Sequence, residues 1–308
     1  MTFWLAPIDN FTNIVFRTFA KNLGYNITIS EMCHTEEISF KGIREPEGFL
    51  KKQDQNNQSY GLQIIGKFYK ISDYFGEKNK VKNKILNQID FLNINFGCPS
   101  NRIVKNKEGS YLLQYPKQMK EYIIKIKKLV KIPINVKIRL GFNDDNSEKI
   151  LESIKNEVNT IIIHARTTKQ GYSGRSNWDK LIKLKKDYEN LKIIPNGDFN
   201  YENISYIKEH FNDVMIGRHA LNNPDIYNKY PNKKEMIIDF IKLWQKLEKH
   251  YETLDKKKIL RFQFKHSILK GILMKMSSGM DHSTNFRRDI SMLKTNKNII
   301  KITNKYFS

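Results

Sequence analysis

Asp90-Phe91-Leu92-Asn93-Ile94-Asn95-Phe96-Gly97-Cys98-Pro99 is an apolar run of strand length, closed by a glycine and a proline. Such a run reads as a buried strand of a parallel sheet followed by a loop. Cys98 then lies just past the strand's carboxyl end, where α/β sheets and barrels place their chemistry. A free cysteine serves equally well as a small buried hydrophobe. The residue alone leaves both readings open, and the rest of the chain has to separate them.

Working outward, runs of the same kind recur up to residue 218. The spacing predicts strands at Phe3–Ile8, Asn26–Met32, Tyr60–Ile65, Asp90–Phe96, Pro133–Leu140, Thr160–Ala165, Lys192–Pro195 and Asp213–Ile216. Amphipathic stretches lie between them. Phe11–Leu23 is entered through Asp9, Asn10 and Thr12 and left at Gly24. Pro116–Val130 opens on proline and carries Met119, Ile123, Ile126 and Val130 near helical spacing, and Tyr201–Phe211 is a third. Eight strands alternating with helices predict an α/β fold of the (β/α)8 TIM-barrel kind. A doubly wound open sheet is the alternative. No Gly-x-Gly-x-x-Gly follows the first strand, which argues against its dinucleotide-binding form.

Beyond residue 234 the strand signals stop. Met236, Ile237, Phe240, Ile241, Trp244, Leu247 and Tyr251 share a helical face. Ile259–Met274 reads as a second helix, and Asp289–Tyr306 contains at least one more, with Thr253–Lys258 a solvated turn. The expected organisation is therefore a barrel over 1–234 and a small C-terminal helical bundle over 235–308.

The net charge of +22 points to a polyanionic partner, nucleic acid before others. With 44 lysines against 10 arginines, AT-rich coding would also inflate the charge. The distribution separates the two explanations. Residues 1–234 are net +13 and residues 235–308 net +9, about twice the charge density in the tail, which a uniform bias does not produce. Two cysteines make neither a disulfide framework nor a zinc site, so a reducing cytoplasm is expected. There is no apolar run of membrane-spanning length. The opening Met1-Thr2-Phe3-Trp4-Leu5-Ala6-Pro7 lacks a basic region and reads as a first strand, not a signal peptide.

Polar residues stand at the end of nearly every predicted strand. Pro7-Ile8-Asp9 ends the first, Gln63 lies in the third, and Asn95 and Cys98 end the fourth. Lys137 and Arg139 interrupt the fifth, His164 ends the sixth, Asn196-Gly197-Asp198 follows the seventh and Gly217-Arg218 the eighth. One such histidine is ordinarily a hydrogen-bonded core residue. A lysine inside an apolar strand needs an anionic partner or a ligand, because an unpaired buried ammonium is costly. In a barrel all these groups converge on one rim. Barrels often hold phosphate after strands seven and eight. Gly197 and Gly217 would allow close approach and Arg218 a bidentate pair. No cluster has metal spacing, so no metal is expected.

Together these residues resemble the tRNA-dihydrouridine synthases, flavoenzymes that reduce uridine in folded RNA. The matching elements are Leu5-Ala6-Pro7-Ile8-Asp9-Asn10-Phe11-Thr12-Asn13 with Phe16-Arg17, Asn93-Ile94-Asn95-Phe96-Gly97-Cys98-Pro99-Ser100 and Gly109-Ser110-Tyr111-Leu112-Leu113. They continue through Lys137-Ile138-Arg139-Leu140-Gly141, His164-Ala165-Arg166-Thr167, Pro195-Asn196-Gly197-Asp198 and Met215-Ile216-Gly217-Arg218. The run Gly109 to Gln114-Tyr115-Pro116 looks most like the bacterial B-type branch, and Lys265-His266 with Lys270-Gly271 extends the likeness into the tail. Ile8 stands where methionine is usual, Asn13 where aspartate is common, and Ile268-Leu269 where many members have aromatics.

The resemblance implies FMN at the barrel mouth, reduced by NADPH as co-substrate. It assigns the flavin to Pro7, Ile8, Gln63, Lys137, His164, Asn196, Gly197, Asp198, Gly217 and Arg218. It implies hydride transfer from flavin N5 to uracil C6, Cys98 as the general acid at C5, and Asn95 on the uracil edge. A thiol is mostly protonated near neutrality, which suits that role. The base must be flipped from its stack, and the basic tail would offset that cost by gripping phosphates, through Lys258, Arg261 and Lys265. The expected partner is tRNA, with ribosomal RNA open, and a monomer is expected, with no membrane. Two other readings stay open. An FMN barrel acting on a free pyrimidine-like molecule explains the rim but not the basic tail. A non-catalytic RNA-binding barrel explains the tail but not an intact Cys98 and flavin set.

Overall fold

The computed structural model describes residues 1–36, 58–67, 86–200, 203–253 and 263–307. Eight parallel strands close on themselves: β1 (Thr2–Leu5), β2 (Ile27–Ile29), β3 (Ser59–Ile65), β4 (Phe91–Asn95), β5 (Ile134–Arg139), β6 (Thr160–His164), β7 (Lys192–Asn196) and β8 (Asp213–Ile216). Pairing runs in chain order, and β1 opposite β8 completes the ring with Thr2 on Asp213 and Leu5 on Ile216. A two-residue strand, Cys33–His34, lies beside the end of β3. The fold is a TIM barrel, as the spacing predicts.

All eight expected strands are present, and most are trimmed at their ends. The first shows why. Pro7 has no N–H to give a ladder, and Asn10 adopts a φ of +63° in the turn that follows. The expected strand over Phe3–Ile8 therefore stops at Leu5, and α1 begins only at Ile14, capped by the Asn13 side chain on the Phe16 N–H.

Side chains alternate across each strand, and the alternation sorts the core into two. Phe3, Leu5, Ile94, Ile138, Ile163 and Ile216 face outward into the main core beneath the helices. Trp4, Ala6, Ile29, Phe91, Ile162, Ile194 and Met215 face inward and plug the barrel. Continuing along the inward face by steps of two leads from Phe91 to Asn95, from Ile162 to His164, and from Ile194 to Asn196. The plug is apolar and its upper layer polar, so the site stands on a packed floor.

The outer helices described are α1 (Ile14–Leu23), the short α2 (Asn101–Lys105), α3 (Pro116–Leu129), α4 (Ser147–Ile154), α5 (Trp178–Asp187), α6 (Ile204–His210) and α7 (Arg218–Asn222). A 3-10 turn over Gly109–Gln114 precedes α3.

The tail forms α8 (Lys233–Thr253), α9 (His266–Met276), α10 (Ser283–Ser291) and α11 (Asn296–Phe307). The stretch after Asp289 thus begins inside one helix and holds a second. Of the expected second tail helix over Ile259–Met274, the part before Gln263 lies outside the described residues, and the described part is the helix from His266. Phe240 of α8 packs edge-on against Phe16 and Phe19 of α1, and Gly271 of α9 lies against Phe11. Asn13 Nδ2 donates to the Gln263 carbonyl at 2.7 Å, and the Ile14 N–H donates to Gln263 Oε1 at 3.1 Å. The tail is thereby fastened to the β1 and β8 side of the mouth. No described helix is long and apolar enough to cross a membrane.

Candidate active site

A cavity of about 960 Å³ opens at the carboxyl ends of the strands. The β1 end contributes Pro7 and Ile8, β3 contributes Gln63, and β4 with its loop contributes Asn95 and Cys98. Lys137, His164, Asn196, Gly197, Asp198, Gly217 and Arg218 come from β5 to β8 and complete the wall. Every barrel residue singled out in the sequence therefore faces one space. Register accounts for this: Asn95 lies opposite Lys137, Arg139 opposite His164, and His164 opposite Asn196. Of the tail residues, Lys265 precedes the first turn of α9 and is not part of this wall, and Lys258 and Arg261 lie outside the described residues.

Asn95 is held inside the protein. Its Nδ2 donates to Gln63 Oε1 at 2.9 Å and approaches Met32 Sδ at 3.5 Å. Its Oδ1 accepts from the Gly97 and Cys98 N–H groups at 3.0 and 2.9 Å. Gln63 in turn donates to Asn93 Oδ1. The chain of amides therefore sets the turn that presents Cys98. Arg139 braces the same turn from the other side, with Nε on the Gly97 carbonyl at 2.9 Å and Nη1 on the carbonyls of Thr167 and Gly171. Burial pushes the Cys98 thiol above its ordinary range, against the pull of Arg139 and Lys137. It is protonated at neutral pH.

The floor is strongly cationic. Lys137 Nζ donates to Asn196 Oδ1 at 3.1 Å, a neutral acceptor. Burial, helped by Arg139, pushes its ammonium down to about 7. His164 Nε2 lies 3.2 Å from Arg166 Nη1. Arginine can only donate, so Nε2 accepts and the ring proton sits on Nδ1. Burial, and then Lys137, Arg139, Arg166 and Arg218, hold His164 far below its usual range, so it is neutral.

Asp198 ties two arginines together. Its Oδ2 meets Arg166 Nη2 at 2.5 Å and the Ser176 N–H at 2.8 Å, and its Oδ1 meets Arg218 Nη2 at 3.2 Å. Burial raises its carboxyl, but these donors outweigh burial and keep it ionised. Arg218 also lies over the Tyr172 ring at 4.5 Å, and Arg139 at 5.4 Å. Gly197 has a φ of +120°, and a Cβ there would stand 2.4 Å from Ser176 Oγ. Gly217 is different: a Cβ would meet protein only at 3.7 Å and beyond. Those neighbours, Ala6 Cβ at 3.7 Å and Asn196 Nδ2 at 3.9 Å, are at ordinary contact distance.

Sequence reasoning brought Arg139 to the rim without giving it a role, and did not select Arg166 or Tyr172 as site residues. The two arginines stand in the Lys137–Gly141 and His164–Thr167 motifs, and a guanidinium next to a strand end was the available signal. Tyr172 sits in a polar loop with no periodicity to mark it. Among the described residues no three His, Cys, Asp or Glu side chains converge as a metal site.

A family model described as dihydrouridine synthase matches residues 4–306. A probable tRNA-dihydrouridine synthase of Aquifex aeolicus is 32% identical over 241 residues, covering 76% of this chain and 74% of that protein. The tRNA-dihydrouridine synthase B of Pasteurella multocida is 29% identical over 73% of this chain and 67% of its own length. A protein of Arabidopsis thaliana named tRNA-dihydrouridine(47) synthase [NAD(P)(+)]-like is 28% identical over 76% of this chain but 34% of its own.

Proposed function

The chain belongs to the dihydrouridine synthase family, and from that premise we propose that it reduces the C5–C6 double bond of uridines in folded tRNA, with FMN as cofactor and NADPH as reductant. The observation that carries the reading is the Cys98 thiol, presented to the cavity on a turn held by Asn95 and Arg139. The free-pyrimidine reading leaves the basic tail without a use, and the non-catalytic reading leaves the thiol without one.

The residues fit FMN on three counts. The cavity is of the size that holds a ligand of that class. Among the described residues the Lys137 ammonium has a neutral hydrogen-bond acceptor and no ion-pair partner. The Gly217 backbone lines the cavity beside Arg218. In this proposal Gly197, Gly217 and Arg218 bind the phosphate, with Asp198 aiming the guanidinium. Lys137 would supply a cation to the flavin ring, which favours its anionic reduced form. Pro7, Ile8, Gln63, His164 and Asn196 complete the cradle, His164 donating from Nδ1. When bound, the cofactor supplies a hydride from N5 to C6 of uracil.

The chain's own part is the proton. Cys98 Sγ gives it to C5, and the raised thiol keeps it available at neutral pH. Asn95 positions that thiol through the Cys98 N–H and adjoins the uracil edge. Tail cations, Lys258, Arg261 and Lys265 among them, bind phosphates. We place the enzyme in the cytoplasm as a monomer, the barrel occupying 1–234 and the RNA-binding bundle 235–308; both cysteines are free thiols. The test is to map dihydrouridine in cellular tRNA and ribosomal RNA with and without the protein, and with Cys98→Ala. Loss of dihydrouridine at defined sites, unrestored by the variant although it still binds FMN and is reduced by NADPH, is the expected result. Normal product from Cys98→Ala would remove the thiol from the mechanism.

A further inference from the structure

Among the described residues the tail grips one side of the mouth. It packs on α1 and α7, which follow β1 and β8. A folded RNA delivering one nucleotide to the cavity also meets the opposite rim, formed by the loops after β4 and β5. That rim is unusual. Tyr111 and Tyr115 form a tilted pair with ring centroids 5.4 Å apart and hydroxyls 3.4 Å apart. Phe142, from the β5 loop, sets its ring edge-on to Tyr111 at 6.4 Å. Tyr115 is 39% exposed, and Tyr111 beside it is partly buried against the core.

The same loop is basic. Arg102, Lys105 and Lys107 are exposed, and none makes an ion pair among the described residues. Lys107 adopts a φ of +60° in the turn leading to the tyrosines, and its charge acts on Tyr115. The single acidic residue of the stretch, Glu108, is turned inward and buried. Gly109 packs against Cys98, and the Ser110 N–H donates to the Cys98 carbonyl at 3.2 Å. Aromatic faces and cations are thus carried on the segment that also presents the thiol.

Exposed aromatic rings interleaved with unpaired cations are the chemistry that binds unstacked nucleotides. The ring accepts a base face, and the cation a phosphate. Resting on the functional reading above, we propose that the 101–115 rim is a second RNA-contact surface, opposite the tail, on which Tyr111 and Tyr115 stack an unpaired base neighbouring the target uridine. Flipping the target leaves a gap in the stack, and a stacked neighbour would hold that gap open. Stacking is insensitive to salt and tolerant of sequence, whereas the tail's phosphate contacts are salt-dependent.

The two contributions can be told apart by measuring tRNA affinity across a salt series. The Tyr111→Leu/Tyr115→Leu double variant keeps apolar bulk and loses the aromatic faces. It should bind tRNA about 10- to 100-fold more weakly with an unchanged log–log salt slope. Tyr111→Phe/Tyr115→Phe should stay within about threefold of wild type, and retained FMN in each variant reports an intact barrel. Leucine variants that bind as wild type, phenylalanine variants as weak as leucine ones, or a loss accompanied by a flattened slope would each overturn the proposal. Wild-type protein that binds no tRNA at all would overturn the functional reading itself, and this inference with it.

Discussion

Replacing Lys137 by methionine should leave the flavin-free protein at least as stable as wild type at pH 7 while abolishing flavin binding. The ammonium sits on the cavity floor with one neutral acceptor, Asn196 Oδ1, and Arg139 close by. Folding moves it from 10.5 to about 7. At about 1.4 kcal/mol per tenfold change, that is an upper bound of about 5 kcal/mol lost on keeping it charged. Water reaching the cavity reduces the figure, and about 1–2 kcal/mol is the expected penalty at neutral pH.

Methionine forfeits the bond to Asn196, worth about 1 kcal/mol. The variant should therefore be equal to wild type or about 1 kcal/mol more stable at pH 7. The sign with pH follows from proton counts. Between about 7 and 10.5 the unfolded lysine holds a proton that the folded one has shed, so wild-type stability rises with pH there. The penalty is complete below 7 and gone above 10.5. Glu31, raised to about 7 by burial, titrates below this window and is common to both proteins. Urea unfolding of both flavin-stripped proteins at pH 7, 8.5 and 10 should show the variant's advantage shrinking as pH rises. A variant less stable than wild type by the same amount at every pH would refute the reasoning and make Lys137 an ordinary structural side chain.

Arg218→Ala should release FMN more readily by equilibrium dialysis while unfolding at nearly the wild-type temperature, because its bond to Asp198 is solvent-exposed. Gly197→Ala should cost about 2–4 kcal/mol in denaturant unfolding. It forces a φ of +120° on alanine and a Cβ to 2.4 Å from Ser176 Oγ and 2.8 Å from His164 Cδ2. Asn13→Asp keeps the cap on Phe16 but loses the donor to the buried Gln263 carbonyl, a cost of about 1–3 kcal/mol. A protonated carboxyl can donate again, so that cost should shrink as pH falls. A gap that widens as pH falls would mean instead that Arg17 pairs with the new carboxylate.

Much of the candidate site was legible in the sequence, because strand residues alternate and strand ends are marked by local breakers. Gln63, Asn95, Lys137, His164 and Asn196 stood out as polar interruptions of apolar runs, and a barrel brings such positions to one rim. The closing element of each strand was less legible. Pro7 and the turn at Asn10 end β1 early, and the two helices after Ser283 are separated by a break that hydrophobic spacing alone does not mark.

What the sequence determined by itself is the architecture and the chemical inventory: eight parallel strands, a basic helical tail, one thiol past a strand end, and cations where apolar residues were due. These are local properties, set by side-chain period and by breakers within a few residues. Only the tertiary structure decided how that inventory is wired. Asn95 is occupied by Gln63 and by the Cys98 turn, Asp198 bridges Arg166 and Arg218, and Asn13 grips a carbonyl 250 residues away. The protonation of Cys98, Lys137 and His164 follows from that wiring. The physical reason is that hydrogen-bond partners and desolvation depend on through-space neighbours contributed by different strands, and no spacing along one strand encodes which neighbour the barrel's closure will supply.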